Sequence, residues 1–225
     1  MLYTEDMVRQ NLRNRQGKRV FYLGKGDTLT PGARDWLTQE RIAVLPAEMA
    51  KPDGYRLLCG AVLTEKPEQM THLYGNVLVP KTHPRILLRG AVDTLEAELL
   101  PCCAAATGHI RKQLEEALAY ARNLLRYEVM GEPVKETLLG GMDEKMLRER
   151  SHRPQDFFGQ PHFMPGPEDS GLLLQVNRAR CAARAAELCA VAAFPDGRED
   201  LLRAFNRLSS FLYLIMIQIK IDCKE

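Results

Sequence analysis

Asn206-Arg207-Leu208-Ser209-Ser210-Phe211-Leu212-Tyr213-Leu214-Ile215-Met216-Ile217 is the stretch that decides the fold. It lies inside a run from Glu199 to Asp222 that contains neither Gly nor Pro. The run is apolar around most of its circumference, which marks a helix enclosed by other helices. Its polar exceptions, Asn206, Ser209 or Ser210, and Tyr213, fall on one face at helical spacing. A buried Asn or Ser without a hydrogen-bond partner costs roughly 1–3 kcal/mol. Two partners satisfy that demand, a neighbouring helix or a bound nucleotide, and the segment alone leaves both open. The apolar part, Phe211 to Ile221, is shorter than the ~20 residues that cross a bilayer. Gln218 and Lys220 also interrupt it, so no membrane span is expected.

Working outward, Pro195-Asp196-Gly197 separates this helix from another predicted over Asp169 to Phe194. There Arg180, Arg184 and Glu187 recur at i, i+4 and i+7, so all three project from one side. The plain reading is a solvated Arg184–Glu187 pair worth a few tenths of a kcal/mol. Ala182, Ala183, Ala185, Ala186 and Ala190 surround the stripe and let another helix approach, which would leave the arginines at an interface. Each guanidinium offers a planar fork of donors suited to phosphate oxygens. A third stripe, Arg89, Asp93 and Glu96, follows the small pair Gly90-Ala91. It reads as an Arg89–Asp93 surface pair, or as Asp93 orienting Arg180 or Arg184.

The spacing predicts further helices over Arg85 to Leu100, stopped by Pro101, and from a Thr107 cap to about Gly131, with Ile110, Leu114, Leu118, Ala121 and Leu125 on one stripe. A short helix is expected over Asp143 to Arg150, followed by a functional loop from Ser151 to Pro167. Upstream, Arg19 to Leu23 and Ile42 to Leu45 are strand candidates. They flank a helix that Thr30 caps and Pro31 opens. Strand, helix and strand in this order can pair in parallel. The fold expected is mainly α, an antiparallel bundle of about five helices over 69–225 with a small mixed α/β extension over 1–68.

Composition narrows the function. The 225 residues are 45% hydrophobic and 27% charged with a net charge of +2, as in an ordinary globular protein. No basic stripe interleaved with aromatics appears, so nucleic acid is not an expected partner. Met1 to Arg15 lacks an apolar core, and no secretory signal is expected there. Six cysteines without such a signal suggest reduced thiols in a cytoplasmic setting. Cys102-Cys103 with His109 fits no zinc spacing, Cys59 stands alone, and Cys181 and Cys189 read as small core residues, so no metal site is expected. Thr71, His72, Gly75 and Lys81 form a polar, partly cationic segment ahead of a helix, without P-loop spacing.

Taken together, these residues resemble the cobalamin adenosyltransferases of the PduO/EutT type, with the ethanolamine-utilisation branch nearest. The resemblance covers most of the chain after about Cys59. It rests on Met70-Thr71-His72-Leu73, on Lys81 through Arg89-Gly90-Ala91-Val92-Asp93, on Arg180, Arg184 and Glu187, and on Asn206-Arg207-Leu208-Ser209-Ser210. Thr30 to Arg34, Gly141-Met142-Asp143-Glu144, Ser151-His152 and His162-Phe163-Met164-Pro165 resemble the ethanolamine branch in particular.

The resemblance implies a helical bundle that assembles into homo-oligomers, trimers in the wider family, with ATP bound between subunits. It implies transfer of the 5′-deoxyadenosyl group of ATP to cob(I)alamin with release of triphosphate, and Mg²⁺ alongside. It assigns ATP contacts to Arg184, Glu187, Asn206 and Arg207, helped by Thr71, His72 and Lys81. It gives Arg180, Arg184 and Glu187 the catalytic work, and Arg180 an ion pair with Asp93 across a subunit boundary. Phe163 and Met164 match the region that presents an apolar residue to the lower face of the corrin. The client is then an adenosylcobalamin-dependent ethanolamine lyase or diol dehydratase, in the cytoplasm or within a bacterial microcompartment.

There are departures from the pattern. Thr71 to Gly75 replaces a Gly- and Asp-containing phosphate loop, Ser210 stands where many relatives have Asp, and Tyr55 to Cys59 keeps only the last cysteine of a Cys-Cys-x-x-Cys metal motif. Two rivals follow: a non-catalytic cobalamin- or ATP-binding homologue of a microcompartment, and an adaptor bundle with no ligand.

Overall fold

Short apolar runs punctuated by glycine give the first part of the chain strands of six residues or fewer, whereas the second part is built from helices of more than twenty. The computed structural model describes residues 1–15, 18–50 and 54–223. It divides them into two compact units, Met1–Val79 and Pro80–Glu225.

In the first unit, β1 (Leu2–Tyr3) precedes α1 (Glu5–Gln10), β2 (Arg13–Arg15), β3 (Lys18–Leu23) and β4 (Thr28–Leu29). Then come α2 (Pro31–Gln39), β5 (Ala43–Pro46) and a 3₁₀ turn over Ala47–Ala50. Thr30 caps α2 as expected, its hydroxyl accepting from the Ala33 amide. β3 and β5 pair in parallel across α2, with Val20 opposite Ala43 and Leu23 opposite Pro46. Val8, Phe21, Leu29, Ala33, Leu37 and Ile42 form a small separate core beneath them. A second sheet has strand order β7-β6-β9-β8, from β6 (Tyr55–Leu57), β7 (Val62–Leu63), β8 (Met70–Tyr74) and β9 (Val77–Pro80). The expected phosphate loop at Thr71 to Gly75 is therefore a strand and its turn. Gly75 takes the left-handed φ of 51° that the reversal into β9 requires. The division expected at 68/69 falls just ahead of this hairpin.

The second unit holds four long helices, α3 (Pro84–Ala105), α4 (Gly108–Met130), α7 (Gly171–Ala193) and α8 (Glu199–Asp222). Two shorter ones, α5 (Glu144–His152) and α6 (Pro154–Phe158), lie between α4 and α7. Arg85 meets Glu128 while Arg122 meets Glu96, so α3 and α4 run antiparallel. α8 is the centre of the unit: Leu208, Phe211, Leu212, Leu214, Ile215, Met216 and Ile217 are all fully buried. Ala179, Ala183, Ala186 and Ala190 bury the inner side of α7, which lets both α3 and α8 lie close against it.

Three local expectations change. Pro101 does not stop α3, which continues to Ala105. Burial of Cys102 and Cys103 holds the last turn on the core, and Cys102 donates its thiol to the Glu98 carbonyl at 3.1 Å. Thr107 occupies the N-cap of α4 but its side chain makes no capping bond. The Ser151–Pro167 stretch is not all loop, because its first residues complete α5 and form α6. Gly131 closes α4 in the left-handed conformation at φ 68°, as its position after a helical stripe suggests.

Candidate functional site

α7 and α8 bring the stripe together. Glu187 on α7 accepts from the Asn206 amide on α8 at 2.9 Å, and Arg207 donates to the other end of the same amide. Asn206 therefore finds its partner within the fold, and that partner is the carboxylate of the stripe. The Arg184–Glu187 pair is not formed. Arg184 is exposed, with no hydrogen bond or ion pair among the described residues. Arg180 turns along its own helix to the Asn177 side-chain oxygen at 2.9 and 3.1 Å, and its guanidinium lies 3.7 Å from the Cys181 sulfur. Ser209 is buried and donates to the Asn206 carbonyl at 2.9 Å, so it needs no ligand.

Sequence reading missed Arg148 on α5. Burial lowers the pKa of the Arg207 guanidinium, and the Arg148 cation lowers it further, while Glu144 and Glu187 oppose. Arg148 and Arg207 thus share one electrostatic neighbourhood with the carboxylates of Glu144 and Glu187. Arg148 lies 36 residues before Arg184 on a different helix, so no local spacing reveals it. Beside these groups, Ala185 is exposed, and Leu188 and Val191 of the same helix are 71% and 49% exposed. The outer side of α7 is thus uncovered and mixes arginines with apolar residues. Cys181 shares that side and is exposed, so it is not the core residue expected, whereas Cys189 is half-buried and packs against the core.

Asp93 is exposed on α3 and pairs with neither Arg89 nor Arg180 within the chain. Arg89 instead joins Arg85 on Glu128 of α4, at 2.8 and 2.5 Å. Glu96 pairs with Arg122 at 2.8 Å. Lys81 is exposed just ahead of α3. His83 caps that helix, its Nδ1 accepting from the Arg85 amide. Burial pushes the His83 pKa down, and Arg85 and Arg89 push the same way. In the first unit, Thr71 and His72 sit on β8, with the His72 ring edge-on to Tyr55 at 5.7 Å.

The third part of the site is the strap from Gln160 to Ser170. Phe163 is half-buried, stacked on Tyr213 at 6.1 Å with the Lys220 ammonium 5.6 Å from its ring centre. Met164 projects outward and is 91% exposed. Asp169 accepts from the Gly166 amide at 2.9 Å and forms an ion pair with Lys220, pinning the far end of the strap to α8.

Among the described residues no three His, Cys, Asp or Glu side chains are close enough to hold a metal ion. Cys59 is exposed in the β6–β7 turn. Burial drives the Cys102 thiol up to about 12, with Cys103 and Glu98 adding to the rise, and burial raises Cys103 as well. Both are poor thiolates for metal or redox work. A cleft of about 660 Å³ shares Glu144 with the Arg148–Arg207 group and is lined also by Tyr120, Thr137, Asp143, Lys145 and Arg203. None of the stripe residues lines it. No helix among the described residues is long and apolar enough to cross a membrane.

An arginine stripe open on one side of a helical bundle, with a carboxylate and amide behind it and a strap along α8, is the arrangement against which known proteins are compared. The chain belongs to the cobalamin adenosyltransferase family, whose model matches residues 62–219. It is 26% identical to the corrinoid adenosyltransferase EutT of Salmonella typhimurium, with 95% of this chain and 90% of that one aligned. The EutT of Escherichia coli K12 is 25% identical over the same shares. Among solved structures, a variant PduO-type ATP:corrinoid adenosyltransferase from Lactobacillus reuteri, complexed with cobalamin and ATP, superposes with a TM-score of 0.56 at 18% identity. That match covers 69% of this chain and 91% of the other. A second variant of the same enzyme, complexed with ATP, gives 0.53 at 17%.

Proposed function

We propose that the chain is an ATP:cob(I)alamin adenosyltransferase that releases triphosphate and supplies adenosylcobalamin for ethanolamine or diol utilisation. The observation that carries this reading is the uncovered Arg180–Arg184–Glu187 stripe, backed by Asn206 and Arg207. Co(I) provides the electron pair for a new bond to C5′ of the ribose. The C5′–O bond breaks, and triphosphate leaves with its pair. No general base is needed. The protein aligns cobalt with C5′ and stabilises the departing charge.

Arg184 meets the polyphosphate directly, since no other group among the described residues engages it. Arg207, with Arg148 nearby, adds cationic potential from the α8 side. Glu187 holds Asn206 in place and is the stripe's one carboxylate available to Mg²⁺, which arrives with the nucleotide and screens the leaving group. Thr71, His72 and Lys81 contribute further contacts to ATP.

Arg180 bonds only within its own helix in one chain, and Asp93 is exposed with no partner among the described residues. An Arg180–Asp93 ion pair between copies of a homo-oligomer, a trimer by preference, satisfies both and places each stripe at a seam. Phe163 and Met164 face the corrin, excluding water and the axial base so that Co(II) is easier to reduce. Neither an adaptor role nor delivery within a microcompartment requires Arg184 to stay unpartnered.

The deciding experiment supplies ATP, Mg²⁺ and chemically reduced cobalamin, and follows loss of the Co(I) absorbance and appearance of triphosphate. The expected result is ATP-dependent conversion by the protein and at least a hundredfold loss in Arg184→Ala. Binding of both ligands without conversion would instead establish the non-catalytic homologue.

A further inference from the structure

The strap carries an imidazole next to the residues assigned to the corrin face, and an imidazole is a strong cobalt ligand. His162 immediately precedes Phe163, and its side chain is exposed. Yet both ring nitrogens are already engaged. Nε2 lies 3.1 Å from the His152 carbonyl and Nδ1 lies 3.0 Å from the Tyr213 hydroxyl.

A carbonyl oxygen only accepts, so Nε2 must carry the proton. In the neutral ring Nδ1 is then the acceptor, and the Tyr213 hydroxyl donates to it. The same hydroxyl oxygen accepts from the Phe163 amide at 3.4 Å. One consistent chain results: the Phe163 N–H to Tyr213 Oη, Tyr213 O–H to His162 Nδ1, and His162 Nε2–H to the His152 carbonyl. The His162 and Tyr213 rings also stack, 5.7 Å apart and 14° from parallel.

We propose that Tyr213 is a positioning residue for the corrin-facing strap: its hydroxyl holds the Phe163 amide and closes the one free lone pair of His162, so that this imidazole cannot ligate cobalt. The proposal rests on the adenosyltransferase reading of the preceding section and names a device within that site. Its value is electronic. An axial nitrogen donor raises the metal orbital that must accept the electron when Co(II) becomes Co(I). A strap that carries a histidine beside its apolar residues therefore needs that histidine tied back. Tyr213 does so from the rigid, deeply buried α8, and Lys220 with Asp169 fixes the strap's other end from the same helix.

Cob(II)inamide is the probe, because it lacks the nucleotide tail that otherwise supplies a lower axial base. Any nitrogen splitting in its Co(II) electron paramagnetic resonance spectrum must then come from the protein. With ATP present, the wild-type protein should show no axial nitrogen. Tyr213→Phe should show the threefold splitting of one imidazole, and Tyr213→Phe combined with His162→Gln should lose it again.

In turnover, Tyr213→Phe should fall about tenfold when cob(II)alamin is supplied with reduced flavin as the one-electron donor. It should stay within twofold of wild type when the cobalamin is already Co(I), with the KM for ATP unchanged. That split between reduction and transfer is not what a merely destabilised variant gives. A corrinoid-free arm follows amide hydrogen exchange across 162–166, which Tyr213→Phe should accelerate at least tenfold.

Unchanged exchange in that variant overturns the proposal whatever the corrinoid results, as does an identical Co(II) spectrum in wild type and Tyr213→Phe. Failure of the wild type to adenosylate Co(I) would strike the proposed function instead, with the exchange result still standing on its own.

Discussion

Among the Arg-x-x-x-Arg pairs of the helical unit, Arg85–Arg89 on α3 and Arg180–Arg184 on α7 end in opposite situations. The first closes on Glu128, whose side chain is 1% exposed, and the two arginines are themselves only 20% and 19% exposed. Arg85 also donates to the Glu128 backbone carbonyl at 3.0 Å and lies 5.5 Å from the centre of the Phe194 ring. In the second stripe Arg184 makes no such contact among the described residues, and Arg180 reaches only Asn177 and the Cys181 sulfur on its own helix. The same spacing thus serves cohesion in one place and leaves charge available for binding in the other. What separates them is whether a buried carboxylate stands opposite.

That contrast predicts which property each substitution breaks. Arg184→Ala should reduce adenosylation by about 10²–10³, the scale of removing one donor aimed at developing charge. Its midpoint in urea should stay within experimental error of wild type. A variant that keeps full turnover would move the phosphate site off α7. Glu128→Ala should do the reverse, leaving two crowded arginines without their counter-charge and costing about 2–4 kcal/mol of unfolding free energy. Urea titration measures it. A loss below 1 kcal/mol would mean that water takes over the role of Glu128.

Next in size is a carboxylate that resembles Glu128 in being enclosed by donors but sits nearer the surface. Asp200, at the start of α8, accepts from Arg198 at 3.0 Å and from the Val134 amide at 2.8 Å. Burial pushes its carboxyl up, but those bonds and the Leu201 amide outweigh burial and bring it down to about 2. A folded-state pKa below the unfolded value means stability that is complete above about pH 4 and lost as pH falls toward 2. About 2 kcal/mol is at stake by that linkage. Stability measured from pH 5 to 2 should fall less steeply in Asp200→Asn than in wild type; parallel curves would remove Asp200 from the account.

A steric counterpart lies opposite Phe211. Gly140 has φ 57°, and a Cβ there would come within 2.8 Å of the Phe211 ring. Gly140→Ala should therefore cost about 1–2 kcal/mol from strain and overpacking together. Thermal melting checks this, and a neutral result would show that the 139–142 turn shifts freely.

The helices were legible because periodicity and caps are local. Glu199 to Asp222 matches α8 in full, and Thr30, Asp143 and Gly131 terminate helices as their types suggest. Misreadings occurred where distant packing overrode a local rule. Pro101 normally ends a helix, but buried Cys102 and Cys103 carry α3 past it. Thr71 to Gly75 reads as a loop because its hydroxyl and glycine suggest phosphate, whereas pairing with β9 makes it a strand.

The stripe on α7 was visible because i, i+4, i+7 is a one-helix pattern. Glu128 and Arg148 were not, since each acquires its role from a partner on another helix. Tyr213 showed itself only as a polar residue on an apolar face; the residue it would hold, His162, stands 51 positions earlier.

The smallest effect sharpens the comparison most. Within one chain Arg180 bonds only to neighbours on its own helix, Asn177 and the Cys181 sulfur, so Arg180→Ala should change monomer stability by less than about 1 kcal/mol. If Asp93 of another copy is its true partner, the loss appears in assembly: sedimentation should show dissociation at concentrations where wild type stays associated. Activity should fall in step with dissociation and recover as protein concentration rises, whereas Arg184→Ala should not recover. Exchanging the charges, Arg180→Asp with Asp93→Arg, should restore association that either change alone weakens. Because Asp93 is exposed and Arg180, half-buried, bonds only along its own helix, no intrachain pair between them accounts for such a rescue. Two single variants that associate normally would leave Arg180 as a second phosphate ligand and would make α7 an open stripe at both of its arginines.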